Sequence, residues 1–197
     1  MVYEGLGEGL DAIAGCIRDK GPFEGVVGFS QGAAAAAMVA SLLEGRRRVE
    51  AFRRAEREGA GMRFPDSFLA GKDDDDDDDG EGGFVQGPLK FALCYSGFCA
   101  PGRRYGAFYE PRIGTRVLHV LGQVDVVVEE GRGRALVGVC EGGEGRVVVH
   151  PGGHFVPSQK PWLDAVVGFV RECVEGGGGR EEEKEEEVRE EDMDVPF

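Results

Sequence analysis

Leu6, Leu10, Ile13 and Ile17 recur at the three- and four-residue spacing of one helix face, and Gly21-Pro22 ends the pattern. This predicts an amphipathic helix over about 5–20. Gly25-Val26-Val27-Gly28-Phe29 is short, apolar and β-branched, and it runs through Ser30-Gln31-Gly32 into an alanine-rich segment that closes at Leu43-Glu44-Gly45. A strand, a tight turn and a buried helix are expected there. Leu89–Tyr95, Arg116–Leu121 and Arg146–Val149 have the apolar continuity of strands covered on two faces. Between the last two, Val126–Cys140 has room for a helix that Gly131, Gly133 and Gly138 weaken. Pro161–Val174 sets Trp162, Ala165, Val166, Phe169 and Val170 on one helical face, behind a proline suited to a first turn. Strands alternating with helices predict an α/β fold with a mostly parallel sheet and helices on both faces.

Between Arg46 and about Gln86 the pattern gives way to charge, glycine and a pure aspartate run, which reads as an inserted, partly disordered acidic loop. Beyond Gly176 a glycine run and an acidic tail read as a disordered end. Residues 1–175 are therefore expected to form one domain, with the insertion at about 46–86, and 176–197 an appended tail. The formal net charge is -14. Asp73–Asp79 and the tail from Arg180 to Phe197 together account for all of it, so the remaining body is balanced. No basic stripe is left to neutralise phosphates, which argues against nucleic acid as a partner.

The five cysteines, Cys16, Cys94, Cys99, Cys140 and Cys173, are scattered and odd in number, without C-x-x-C spacing. Free thiols are expected, and neither a disulfide framework nor a metal site. The acidic, glycine-rich N-terminus does not read as a signal peptide, and the longest apolar stretch falls short of the ~20 residues a bilayer span needs. The expectation is a cytoplasmic, or also nuclear, protein.

Gly28-Phe29-Ser30-Gln31-Gly32 fits the G-x-S-x-G nucleophile elbow, a strained strand-to-helix turn that exposes a serine hydroxyl. In a chain with 34 glycines the pentapeptide alone is a modest signal; its place between a strand and a small-residue helix strengthens it. A serine hydroxyl needs a base, and there are three histidines. His119 lies within an apolar strand, where a core histidine is expected. His150 ends the last strand, and His154 follows Pro151-Gly152-Gly153 in the loop beyond it, at the carboxyl edge of the sheet. His154 is favoured and His150 is the substitute. Asp125, on the loop after Arg116–Leu121, reaches the same edge as the acid that would orient the base, with Glu129 and Glu130 as rivals inside the helix pattern. The chain order Ser30, Asp125, His154 is that of the α/β-hydrolases. The N–H of Gln31, the residue after the serine, is a candidate oxyanion donor.

The segments GPFEGVVGFSQGAAAAAMVASLL, CYSGFCAP, LHVLGQVDVVV and VVVHPGGHFVP resemble the serine hydrolase family called FSH, a fungal and more widely eukaryotic branch of the α/β-hydrolases. The resemblance covers four blocks and most of the ordered body. It implies an α/β-hydrolase-like fold with Ser30 as nucleophile, Asp125 as acid and His154 as base. It also implies a substrate among small esters, or acyl thioesters of the kind some members release from polyketide synthases, and thus a candidate role in secondary metabolism. Ser96-Gly97-Phe98 matches a family block near the pocket, which makes Phe98 a candidate lining residue. Family members begin with a strand ending in a His-Gly loop that supplies one oxyanion N–H. No such segment precedes the first helix here, so the resemblance implies an N-terminally truncated chain or an incomplete oxyanion hole.

The reading is a serine esterase or thioesterase that works through an acyl-serine intermediate without metal or organic cofactor, on a small-molecule or carrier-bound acyl substrate. Two rivals stand beside it. One is a catalytically silent remnant of the fold acting as a binding module, and the other is an acidic interaction protein whose function lies in the charged segments.

Overall fold

The computed structural model describes residues 2–70 and 83–176. In chain order the elements are α1 (Leu6–Lys20), β1 (Gly25–Phe29), α2 (Gln31–Leu42), α3 (Arg46–Arg57), β2 (Phe91–Tyr95), β3 (Val117–Gly122), α4 (Glu130–Gly138), β4 (Val147–His150) and α5 (Lys160–Glu175). The four strands form one parallel sheet in the order β1-β2-β3-β4. Because every strand runs the same way, the loops that follow β1, β2, β3 and β4 all emerge at one edge. That edge holds Ser30, Ser96, Asp125 and His154.

Period-two alternation assigns each strand's side chains to two cores. Ala92 and Cys94 of β2 face a large cluster built with α1, α2 and α3, including Leu10, Ala37, Leu42 and Phe52. Phe91, Leu93 and Tyr95 point the other way and meet Leu118, Val120, Phe169 and Cys173, the last two from α5. Helices thus lie on both faces, as the alternation of elements predicts. β1 is an outer strand, and Val27, on the face opposite Val26, is 60% exposed. Among the described residues no helix is long and apolar enough to cross a membrane.

The expected loop at 46–86 requires correction. Arg46–Arg57 is helical. Its six arginines and two glutamates mask an apolar stripe in which Ala51 and Phe52 are buried and Val49 and Ala55 pack on the core. Phe52 meets Phe64 and Phe108 edge-on, with ring centroids 5.4 and 4.8 Å away. Arg48 is fully buried, and its guanidinium donates to the carbonyls of Ala107 and Pro111 and to Glu44. Glu44 in turn accepts the N–H groups of Gly114 and Thr115, tying the α2–α3 corner to the β2–β3 connection. Burial of this charge is tolerated because both terminal nitrogens of the guanidinium find acceptors, while the buried Nε finds none. Phe68 is also buried. The aspartate run and the acidic tail from 177 onward lie outside the described residues.

Substituting Phe52→Ala tests whether this segment belongs to the core. It should destabilise the protein by about 3–5 kcal/mol in urea unfolding, the usual cost of emptying a buried aromatic site. A loss below about 1 kcal/mol would return the segment to the status of a surface insertion.

Candidate active site

Ser30 occupies the single residue between β1 and α2, with φ 55° and ψ -120°. A non-glycine residue holds such a backbone only where its surroundings enforce it. Here Ser30 N–H donates to the Tyr95 carbonyl at 2.8 Å, while the N–H groups of Ala33 and Ala34 donate to the Ser30 carbonyl at 3.0 and 3.1 Å. The turn folds the start of α2 back under β1 so tightly that a Cβ on Gly28 would lie 2.1 Å from the Gly32 carbonyl oxygen. Gly28 is therefore dictated by sterics. Gly32, the second glycine of the motif, is different: a Cβ there would meet nothing within 4 Å. Gln31 is the first residue of α2, and the first N–H groups of a helix have no intrahelical partner.

The loops after β3 and β4 are joined to each other. Gln123 N–H donates to the His150 carbonyl at 2.8 Å and Val124 N–H to the Gly152 carbonyl at 3.2 Å. Gly122 permits the approach, since a Cβ on it would lie 2.5 Å from the Gly153 oxygen. The first loop carries Asp125 and the second His154. Asp125 Oδ1 accepts the N–H groups of Val127 and Val128, both at 2.9 Å. Its Oδ2 accepts the Ser96 hydroxyl at 2.8 Å and stands 2.8 Å from His154 Nδ1. Burial would raise the carboxyl pKa, but the donors from Val128, His154, Ser96 and Val127 outweigh it and bring it down to about 2.

His154 Nε2 is 2.9 Å from Ser30 Oγ. With Nδ1 facing the carboxylate, the proton belongs on Nδ1, which leaves Nε2 as the acceptor for the serine hydroxyl. The ring rests against Phe29, centroids 4.7 Å apart. The structure thus brings together three of the sequence-predicted residues, Ser30, His154 and Asp125, in one hydrogen-bonded line.

The alternatives are placed elsewhere. His150 is buried between Phe155 and Trp162, and its Nδ1 accepts the Gly152 N–H at 3.2 Å, so it braces the loop that carries His154 rather than facing Ser30. Burial lowers its pKa. His119 sits inside β3, and burial, reinforced by Arg146, lowers its pKa to about 4. Glu129 stands at the N-cap position of α4 without a side-chain capping hydrogen bond, and Glu130 pairs with Arg134 at 3.3 Å. The helix begins at Glu130, later than the expected span, because Val127 and Val128 are engaged by the Asp125 carboxylate. Phe98 lines a cavity of about 340 Å³ that Gln31 also lines, and the Arg132 guanidinium lies 4.3 Å from its ring centre.

Sequence reasoning missed Ser96. It stands at the end of β2 with φ 46°, and its hydroxyl holds Asp125. The signal available was its place in a Ser-Gly pair at the carboxyl end of a strand, the edge where the other reactive groups gather. The five cysteines are free, with Cys94, Cys140 and Cys173 buried and Cys16 exposed. Burial raises the Cys99 thiol to about 11 and the Cys140 thiol to about 12, which removes them as nucleophiles near neutral pH. Among the described residues no group of three or more His, Cys, Asp or Glu could hold a metal ion.

Comparison with known proteins gives the same family as the motifs. Esterase OVCA2 of Danio rerio is 34% identical over 155 residues, covering 78% of this chain and 52% of that protein. Family of serine hydrolases 3 of Saccharomyces cerevisiae is 30% identical over 155 residues, covering 79% of this chain and 46% of the relative. The chain therefore spans about half the length of these curated relatives. Among solved structures, acyl-protein thioesterase 2 of Zea mays aligns with a TM-score of 0.49 at 19% identity, covering 85% of this chain and 66% of that one. The family model for serine hydrolase (FSH1) matches residues 1–166, and the chain belongs to that family.

Proposed function

We propose that this chain is a serine hydrolase that cleaves a carboxylic ester or an acyl thioester through an acyl-serine intermediate, with Ser30, His154 and Asp125 as its catalytic residues. The observation that supports it most is the continuous line from Ser30 Oγ to His154 Nε2 at 2.9 Å and from His154 Nδ1 to Asp125 Oδ2 at 2.8 Å. Ser30 Oγ attacks the substrate carbonyl carbon while its proton passes to His154 Nε2. The tetrahedral intermediate collapses as that proton moves to the leaving oxygen or sulfur, and the acyl group remains on Ser30. Water then attacks the acyl-serine, giving its proton to His154, and Ser30 leaves with that proton as the acid is released.

Asp125 keeps the imidazole in the tautomer that leaves Nε2 free to accept and stabilises the imidazolium formed in each half-reaction. Gln31 N–H, at the positive end of α2, is the oxyanion donor on this reading. The family supports a small-molecule acyl substrate; a carrier-bound thioester and a place in secondary metabolism are the narrower versions of the same proposal.

Turnover of short p-nitrophenyl esters by purified variants tests the assignment. Ser30→Ala and His154→Ala should each lower kcat by roughly 10⁴- to 10⁶-fold, because members of such a unit are not additive. His150→Asn, whose side-chain oxygen can still accept the Gly152 N–H, should stay within about tenfold of the parent. A larger loss at His150 than at His154 would move the base. Uniform inactivity of the folded parent, with no covalent labelling at Ser30, would favour a silent binding module instead.

A second outcome follows from Ser96. The depressed Asp125 pKa contributes stability that is present above the unfolded value of ~3.9 and is lost as pH falls through about 2. Ser96→Ala removes one donor to that carboxylate, so it should lower unfolding free energy at pH 7 by about 1.5–3 kcal/mol. The gap from the parent should narrow as pH is taken from about 5 toward about 2. Urea unfolding across that range reads it, and a gap independent of pH would show that Ser96 does not act through Asp125.

A further inference from the structure

We infer that the edge of the sheet carrying Ser30 docks on an uncharged or zwitterionic lipid surface, from which Ser30 takes its ester. The docking stands on the surface alone, and the second clause rests on the hydrolase reading above. Phe29 ends β1, Val124, Val126 and Val127 lie in the loop after β3, and Phe155 and Val156 lie in the loop after β4. All six are exposed, from 39% at Phe29 to 87% at Val126. They are half of the large apolar side chains that the described residues leave exposed, and they share one edge. Such residues scattered singly need no explanation, but grouped beside a reactive site they mark a contact surface.

The bonds that build the site also hold this group together. Val124 N–H donates to the Gly152 carbonyl at 3.2 Å, which joins the two loops. The Phe29 ring lies against His154 with centroids 4.7 Å apart, and the Phe155 ring lies 5.0 Å from that of His150. The apolar surface is therefore fixed relative to Ser30.

Its polarity and shape select lipid over a protein or a small ligand. Residues 122–128 and 151–159 contain two titratable side chains, Asp125 and His154, which are engaged with each other and with Ser96 and Ser30. The N–H groups of Gln123, Val124, Val127, Val128 and Phe155 all donate inside the site as well. A protein interface needs roughly one hydrogen bond per 100–200 Å², and few donors remain here to supply it. Apolar side chains entering a lipid surface have no such requirement. Val126 stands out into solvent, whereas small-molecule sites are concave. The net charge of -14 then chooses among lipids, since an anionic surface repels this chain and a zwitterionic one does not. Docked in this way, Ser30 faces an ester that need not cross bulk water to reach it.

The double variant Val126→Asn with Val156→Ser tests the inference. Both positions are exposed, and the neutral replacements leave the charge around Asp125 unchanged. The full chain and the variant are compared by flotation with vesicles of phosphatidylcholine, alone or mixed with phosphatidylglycerol. They are also compared in hydrolysis of dissolved p-nitrophenyl butyrate and of tributyrin below and above its solubility limit. The parent should float with phosphatidylcholine, and less with the anionic mixture at low salt than at high salt. The variant should bind phosphatidylcholine at least about tenfold more weakly and lose a similar factor on emulsified tributyrin. Its turnover of dissolved p-nitrophenyl butyrate should stay within about twofold of the parent, which also shows that it is folded. A parent that does not float, or a variant that floats equally well, would overturn the inference. Self-association of the parent that the variant abolishes, without vesicle binding by either, would give the surface to a second copy of the chain instead. A folded parent that floats but turns over no dissolved ester would overturn the Ser30 reading and leave the docking surface standing.

Discussion

The carboxylate of Asp125 is the point on which the site depends. It accepts from two backbone N–H groups of its own loop, from the Ser96 hydroxyl at the end of β2, and it faces His154 Nδ1 from the loop after β4. One buried charge thereby fixes three segments of chain that meet only because a parallel sheet delivers its loops to one edge. Each donor lowers the energy of the ionised form, and together they offset the desolvation that burial imposes. Remove that charge and His154 keeps its place in the chain but loses the interaction that sets its tautomer.

Sterics enforce the same arrangement from the backbone side. Gly28 allows α2 to start directly beneath β1, and Gly122 allows the His154 loop to press against the end of β3. Both are positions where a methyl group would strike backbone, which cannot yield as a flexible side chain can. The positive φ of Ser30 and of Ser96 falls at the ends of adjacent strands, so strain is concentrated where the hydroxyls must point outward from the sheet.

Much of this was legible in the sequence because it is local. The apolar runs at Leu89–Tyr95 and Arg116–Leu121 contain β2 and all but the last residue of β3, and the strand-turn-helix around Ser30 follows from five residues. The positions of Asp125 and His154 after successive strands implied a shared edge. Two things were not legible. α3 hides an ordinary buried stripe under an unusual density of arginine and glutamate, and what orders it is tertiary: Phe52 against Phe64 and Phe108, and Arg48 among carbonyls of the segment before β3. The role of Ser96 could not be read because nothing local in Ser-Gly-Phe indicates a hydrogen bond to a residue 29 positions away.

Family membership and site geometry both support the acyl transfer proposed above, while the chain spans about half the length of the relatives compared. The central claim is that the line through Asp125 and His154 activates Ser30. The most direct measurement is peptide mapping by mass spectrometry after reaction with a fluorophosphonate, on the parent and on Asp125→Asn. The account predicts one adduct, on the peptide containing Ser30, formed on the order of 10⁴-fold more slowly in the variant because the amide favours the wrong imidazole tautomer. An adduct on Ser96 or another nucleophile, or equal labelling of Ser30 in both proteins, would contradict it.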